Sequence, residues 1–579
     1  MAKEANGLWQ GGSVPIHPDL DPTAVPGEID RRKFVKRGRQ ALAAGLTWSA
    51  ADPRTSAGNA PEAAPGRRPN FVILITDQER FPQHWPEGWA ERNLPNRRRL
   101  AEHGLTFTRA FCASSMCSPS RASLLTGLYP ARHGVTETLQ TGDLKYASQH
   151  TLAPEMQNIA HMLASAGYDV QYRGKWHISK DPSGTMDIQS RRDMARYGFQ
   201  GWQPPDAGQD HHASHFGGGD SSYDELYARQ AADFLRGVSP RSPRPFALVV
   251  ALVNPHDLMG YPKTWNQPSY SDIAPYRGSD NYGRKAPEFV NLQMPLPSTF
   301  NEPLAANFKP TVQAQSNAYW GNDQVLGALD PQKGDPQQYV NFYAYLHTLS
   351  DGHIGALLDA MEDNWPAHRN TIVIRLADHG EMGLAHGGMR QKAYNAYEET
   401  IHVPLVFSNP ALFRGPVRTP ALASLVDLMP TLATLARVPD PGQYNFQGRD
   451  LSVIIQDAIE NPRNPTASVQ DSVLFTTDET LGSAANIIQP PFHIRCLREG
   501  RWKVVLYFDP AGKKESQYEL YDLEKDPEEY FNLGHADHPA LYRPDKLKEM
   551  LQKLQQKMKE TGTDPRLYAE AMPELQTMP

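Results

Sequence analysis

The chain predicts an α/β protein built on a mostly parallel sheet flanked by helices, with a smaller antiparallel sheet and a helix near its C-terminus. Three observations predict it. Asn70–Thr76, Pro245–Val253 and Thr371–Ala377 are apolar runs of strand length, the pattern of strands covered on both faces of a parallel sheet. Each run ends in polar residues: Asp77-Gln78, Asn254-Pro255-His256-Asp257 and Asp378-His379-Gly380-Glu381. The carboxyl ends of such strands are where open α/β sheets put their chemistry. Helical spacing fills the intervals, as in Tyr339–Glu362, where Leu346, Leu349, Ile354, Leu357, Leu358 and Met361 can share a face.

The remaining elements follow in chain order. Pro95-Asn96 through Leu100-Ala101 to Gly104 reads as a helix with a glycine stop, followed by an apolar stretch at Phe107–Phe111. Ile159–Ala166 before Gly167 is another helix, leading into a strand that ends at Gly174-Lys175-Trp176-His177. Residues 258–335 are rich in Pro, Gly, Asn and Tyr and predict a long excursion that shapes a pocket or a subunit contact. A strand at His402–Ser408 and a helix at Leu425–Leu435 come next. After residue 465 the pattern shifts to short alternating strands around Ile494–Leu506 and Glu519–Leu523. They are followed by an amphipathic helix, Asp545–Lys559, carrying Leu547, Met550, Leu551, Leu554 and Met558. The expected division is therefore a leader at 1–68, a main unit at 69–465 and a small α+β unit with a tail at 466–579.

Composition narrows the class. At 579 residues the chain is long for one core, and 39% hydrophobic with 21% charged residues is a globular balance. A net charge of −7 argues against nucleic acid as a partner. No apolar run approaches the roughly 18 residues a membrane helix needs. Three cysteines, Cys112, Cys117 and Cys496, form neither a disulfide framework nor a CxxC metal pattern.

The most informative stretch is Ser115-Met116-Cys117-Ser118-Pro119-Ser120-Arg121-Ala122-Ser123-Leu124-Leu125-Thr126-Gly127. Pro119 suits a first helical turn, where its missing N–H has no partner to lose. Thr126-Gly127 reads as the stop. Arg121 falls one turn after Cys117 and can return over the same face. The positive end of the helix then points at whatever Cys117 touches, which makes a place to hold an anion beside a nucleophile. The plainer alternative is an inert buried cysteine beside a surface arginine.

These residues fit C-x-P-x-R-x-x-x-x-T-G throughout, and the pattern resembles the type I sulfatases, a branch of the alkaline phosphatase superfamily. Further pieces agree in order between about residues 69 and 535: Asn70 to Asp77, Gly174-Lys175-Trp176-His177, Pro255-His256, Asp378-His379-Gly380-Glu381, and Lys392 with Tyr397-Glu398-Glu399. So do Val403-Pro404-Leu405, Asp427 with Pro430-Thr431-Leu432, and Leu520-Tyr521-Asp522-Leu523 through Asp526-Pro527-Glu528 to Asn532-Leu533. The resemblance implies an alkaline-phosphatase-like fold with a large mixed sheet. It implies that Cys117 is oxidised by a formylglycine-generating enzyme to an aldehyde used as its hydrate. One hydroxyl of the hydrate attacks sulfur, and deprotonation of the other releases sulfate and restores the aldehyde.

The same resemblance implies one divalent metal held by Asp77, Gln78, Asp378, His379 and the modified Cys117. Sulfatases commonly carry a carboxylate where Gln78 stands and an amide where His379 stands. Ca²⁺ is the first expectation from an oxygen-rich set, with Mg²⁺ or Mn²⁺ as alternatives, since one nitrogen ligand favours Mn²⁺. The Gln and His variants are similar to those of choline sulfatases and phosphonate monoester hydrolases. Arg121, Lys175 and Lys392 are implied to bind the anion. His177 is implied as the base for collapse, and His256 as the residue that protonates or hydrogen-bonds to the leaving oxygen. His133, His386 and His402 receive supporting roles only.

Three activities fit these residues. The first is a sulfatase acting on aryl or small alkyl sulfate monoesters. The second is a phosphonate monoester or phosphodiester hydrolase with the same nucleophile, because those esters also carry a single charge. The third is a catalytically silent binding protein on a sulfatase scaffold. Asp30-Arg31-Arg32-Lys33-Phe34-Val35-Lys36, followed by the uncharged stretch Gln40–Ala51, looks like a twin-arginine signal and predicts a periplasmic or exported enzyme. Without export, the expectation is a cytoplasmic one. The leaving group and the oligomeric state, homo-oligomer or not, have no readable code.

Overall fold

The computed structural model describes residues 68–82, 85–140, 149–180, 191–204, 206, 223–262, 291–323, 325–329, 334–481, 486–538 and 540–564. The twin-arginine stretch lies outside them, as do 263–290 of the excursion and 565–579 of the tail.

The main sheet has seven strands: β1 Asn70–Asp77, β2 Gly104–Phe111, β3 Asp169–Gly174, β4 Phe246–Pro255, β5 Thr371–Ala377, β6 His402–Ser408 and β7 Val417–Ser424. Their order is β3-β4-β1-β5-β6-β2-β7. All pairings are parallel except those of β6, which runs against β5 and β2. This is the predicted mixed, mostly parallel sheet.

Apolar runs replace alternation because both faces are covered. In β1, Phe71, Ile73 and Ile75 enter one core, while Val72 and Leu74 enter another. β4 divides the same way, with Val249 and Ala251 on one side and Leu248 and Val250 on the other. Helices α1 Pro95–Glu102, α4 Tyr223–Gly237 and α5 Pro336–Asp363 cover the second face through Leu100, Leu235, Ile354 and Leu357. Helices α2 Cys117–Thr126, α3 Ile159–Ser165 and α6 Leu428–Leu435 cover the first through Leu124, Leu163 and Leu432.

The second sheet, β8 Ser472–Thr477, β9 His493–Glu499, β10 Trp502–Phe508 and β11 Gln517–Asp522, is antiparallel in the order β11-β10-β9-β8. One face, with Val473, Phe475, Cys496 and Val505, closes onto the main core. The other carries α7 Pro544–Thr561 through Leu547, Met550, Leu554 and Met558. No helix among the described residues is long and apolar enough to cross a membrane.

Several expected boundaries change. The predicted helix at Leu425–Leu435 is a 3₁₀ turn, Leu425–Asp427, followed by α6. The cause is a capping box, in which Ser424 N–H donates to the Asp427 carboxylate at 2.7 Å and the Ser424 side chain answers it. Gly104 opens β2, and α1 stops two residues earlier. The excursion contains a helix, Thr311–Gly321. Arg390 donates to the Trp320 and Gly327 carbonyls at 2.7 and 2.8 Å, and His386 Nδ1 donates to the excursion's Glu302 carboxylate at 2.6 Å. This part of the excursion therefore braces the loop after β5.

Gly174 ends β3 at φ +102°, and a Cβ there would stand 2.0 Å from the Ala251 carbonyl oxygen of β4. Close backbone approach and left-handed φ both require glycine. We expect Gly174→Ala to cost about 3 kcal/mol or more, read as a fall in the urea midpoint, and to disable the site because Lys175 is the next residue. A midpoint unchanged from wild type would show that the turn relaxes freely.

Candidate active site

The carboxyl ends of β1, β3, β4 and β5 converge on the start of α2. Cys117 is the first residue of α2, and Pro119, its third, falls where backbone N–H groups have no intrahelical partner. Gly127 closes the helix in the left-handed conformation at φ 68°. The helix is pinned sideways, with Ser120 Oγ donating to the Asp378 carbonyl at 2.5 Å and Ser118 Oγ accepting the Leu139 N–H at 3.0 Å.

Around the Cys117 sulfur, His379 Nε2 stands at 3.3 Å and Asp77 Oδ1 at 3.6 Å. His379 Nε2 is 3.6 Å from Asp77 and 3.7 Å from Asp378. Asp77, Cys117, Asp378 and His379 each offer one ligand atom, all within 4.8 Å of one another, and all four residues are buried. That spread suits donors on opposite sides of an ion with bonds of about 2.0–2.6 Å. The donor set fits one divalent cation.

Three positive side chains balance this negative group. Arg121 Nη2 bonds to Asp77 and Nε lies 2.9 Å from Asp378, while Nη1 donates to the Lys175 carbonyl. Lys175 Nζ lies 2.8 Å from Asp77. Lys392 Nζ donates to Gln78 Oε1 at 2.5 Å, and Gln78 Nε2 donates to Glu381 at 2.6 Å. The Gln78 oxygen has two lone pairs, so it can serve Lys392 and an ion together. Arg121 is buried with its fork on both carboxylates, a pin for them more than an open clamp.

Electrostatics single out one thiol. Burial opposes charge on Cys117, but Lys175, Lys392 and His379 hold it well below the usual thiol value. Cys112 and Cys496 are equally buried. Burial pushes Cys112 well above the normal value and Cys496 up to about 12. Burial and the Cys117 charge push Asp77 upward, yet the ion-paired Lys175 and Arg121 keep it below the usual carboxylate range. Burial, then the Asp77 charge, raises Asp378. His256 is driven down to about 3 by burial and by Lys175, so it meets its surroundings as a neutral imidazole.

Every predicted site residue is buried: Asp77, Gln78, Cys117, Arg121, Lys175, His177, His256, Asp378, His379 and Lys392. The supporting histidines have structural partners. His133 faces Ser123, His386 stacks on Tyr397 at 3.6 Å between centroids, and His402 meets the Thr108 carbonyl. Sequence reasoning gave no role to several residues that hold the site. Glu381 accepts from Gln78, Tyr339 and the Gly383 and Gln391 amides. Asp206 accepts the backbone N–H groups of Trp176 and His177, both at 2.8 Å. Glu381 stood inside a quoted motif and was findable. Asp206 has no local signal, because its partners lie 29 and 30 residues away.

A buried carboxylate pair with a histidine, an activated residue at a helix start and three fixed cations define a metal-assisted hydrolase for anionic esters. The chain belongs to the sulfatase family, which it matches over residues 69–438, and it is a sulfuric ester hydrolase by class. Residues 388–562 also match the C-terminal region of N-sulphoglucosamine sulphohydrolase. The chain is 26% identical to an ulvan-active sulfatase of Formosa agariphila over 67% of its own length and 65% of that protein's. It is thus aligned to slightly under two thirds of that relative. It is 22% identical to an N-acetylglucosamine-6-O-sulfatase of Bacteroides thetaiotaomicron over 86% of this chain and 88% of the other. Its fold resembles that of the phosphonate monoester hydrolase of Agrobacterium radiobacter, with TM-score 0.56 and 21% identity over 85% and 96% of the two chains.

Proposed function

We propose that this chain hydrolyses sulfate monoesters through a formylglycine made from Cys117, with one divalent metal held by Asp77, Gln78, Asp378, His379 and the modified residue 117. The supporting observation is the convergence of Cys117 with Asp77, Asp378 and His379, whose ligand atoms all lie within 4.8 Å of one another, beside Lys175 on Asp77 and Lys392 on Gln78. The metal would supply Lewis-acid polarisation of the ester oxygens and favour the ionised nucleophile. Lys175 and Lys392 stabilise charge on the transferring group in a water-poor site. Arg121 holds the two carboxylates in place. His177 takes the proton that releases sulfate. His256, neutral, hydrogen-bonds to the departing oxygen.

Both curated relatives described above are named for sulfated carbohydrate substrates, which favours a sulfated sugar as the natural ester. The Gln78 and His379 pair, with the phosphonate hydrolase fold likeness, keeps a phosphonate or phosphodiester activity as the second reading. Residues 69–465 would form the catalytic unit and 466–579 the small domain, with export by the twin-arginine route.

The test compares kcat/KM on aryl sulfate and aryl phosphonate esters, with protein co-expressed with a formylglycine-generating enzyme. Sulfate preference of about tenfold or more, an aldehyde mass for residue 117, and activity lost to chelation and restored by Ca²⁺, Mn²⁺ or Mg²⁺ are expected. Phosphonate preference would establish the second reading. An intact thiol together with no turnover on either ester would leave the silent binding protein.

A further inference from the structure

The imidazole of His177 makes a hydrogen bond that decides what it can do. Its Nε2 lies 2.9 Å from the Leu139 carbonyl oxygen. A carbonyl only accepts, so Nε2 carries the proton, and in the neutral ring Nδ1 keeps the lone pair. Nδ1 is buried with no hydrogen-bond partner of its own among the described residues, and His177 is among the neighbours that act on the Cys117 thiol. The Leu139 backbone serves both sides of the site, because its N–H donates to Ser118 Oγ, next to residue 117.

The segment carrying Leu139 is held from the second sheet. Glu479, two residues beyond β8, accepts the Thr138 N–H at 2.7 Å and the Thr138 hydroxyl at 2.8 Å on one oxygen. Its other oxygen accepts the Leu481 N–H at 2.8 Å. The carboxyl is buried, at 2% exposure. Thr480 Oγ donates to Glu137 at 2.5 Å, and Gln149 Nε2 donates to the Thr138 carbonyl at 2.8 Å. Gln149 Oε1 also accepts the Gln140 N–H at 2.8 Å, and Asp206 anchors the His177 N–H.

We propose that Glu479 is a positioning residue for the active site: by clamping Thr138 it aims the Leu139 carbonyl at His177 and fixes the imidazole as the Nε2–H tautomer, with Nδ1 as its only proton acceptor. The small antiparallel sheet thereby contributes to proton transfer without touching substrate. This rests on the sulfatase reading, in which His177 takes a proton from residue 117.

The experiment compares wild type, Glu479→Gln and Glu479→Ala by two readouts. Steady-state kinetics on an aryl sulfate should show kcat falling about 10–100-fold in Glu479→Ala with KM within about twofold. Glu479→Gln keeps an oxygen for Thr138 and should stay within about threefold of wild type. Nitrogen NMR of selectively [¹⁵N]histidine-labelled protein, with Cys117 unmodified and no metal added, should give His177 as one Nε2–H tautomer in wild type and Glu479→Gln. It should give a mixture in Glu479→Ala, with the resonance assigned by its loss in His177→Ala.

An unchanged tautomer in Glu479→Ala, or a kcat within about threefold of wild type, overturns the inference. Absence of turnover in the wild type would sink the sulfatase reading while leaving the tautomer result to judge Glu479. Should Glu479→Ala not fold, Thr138→Val removes the hydroxyl donor alone and should shift both readouts the same way by a smaller amount.

Discussion

Cys117→Ala should lower turnover of an aryl sulfate by about 10⁴-fold or more, the scale at which a covalent nucleophile is missed. The fold should survive. Replacing a sulfur with hydrogen in a buried site costs about 1–2 kcal/mol through the small cavity left, and the partners of the thiol, His379 and Asp77, have other contacts. Cys112→Ala and Cys496→Ala are the matched controls. Both thiols are as buried as Cys117, yet burial wins at both and holds them above the usual thiol value even where Lys503 and Arg498 approach Cys496, so activity should stay within about threefold of wild type. Aryl sulfate kinetics with thermal midpoints of all three variants measure this. Comparable activity in Cys117→Ala and Cys112→Ala would remove residue 117 from the reaction.

Arg121→Met should be the most destabilising substitution in the site, by about 3–5 kcal/mol. Methionine matches much of the volume, so the cost is electrostatic. The guanidinium answers Asp77 and Asp378 at 2.9 Å each and the Lys175 carbonyl at 2.9 Å, and it is 1% exposed. Removing it strands two carboxylates in a dry site with Lys175 as the main remaining cation. Arg121→Lys restores one charge without the planar fork and should recover roughly half of the loss. Added divalent cation should stabilise Arg121→Met more than wild type, because the ion replaces part of the missing charge. Chemical denaturation with and without the ion measures each. A loss under about 1 kcal/mol in Arg121→Met would mean that the pair carries little energy.

Much of the catalytic half was legible because its determinants are local. The runs that became β1, β4 and β5 are apolar on both faces, and they ended where the polar residues began. Cys117, Pro119 and Arg121 lie within one helix and Gly127 caps it, so spacing alone placed them. The second sheet was harder. β8 was not anticipated at all, and β9 and β10 merged into one stretch, since short half-covered strands carry little periodicity. The helix within the excursion, Thr311–Gly321, was hidden among turn-forming residues, and its buried side chains Val312, Tyr319 and Trp320 join the main core, a tertiary contact no local pattern announces.

The sequence by itself determined the elements and the cast: a parallel-type sheet, a cysteine at a helix mouth, and polar residues waiting at strand ends. Only the tertiary structure decided the pairings, namely Arg121 with both Asp77 and Asp378, Gln78 with Lys392 and Glu381, and Glu479 with Thr138. These join residues 44 to 341 positions apart. Side-chain periodicity reports which face a residue shows, whereas the identity of its partner across the fold depends on strand order, which no local pattern encodes.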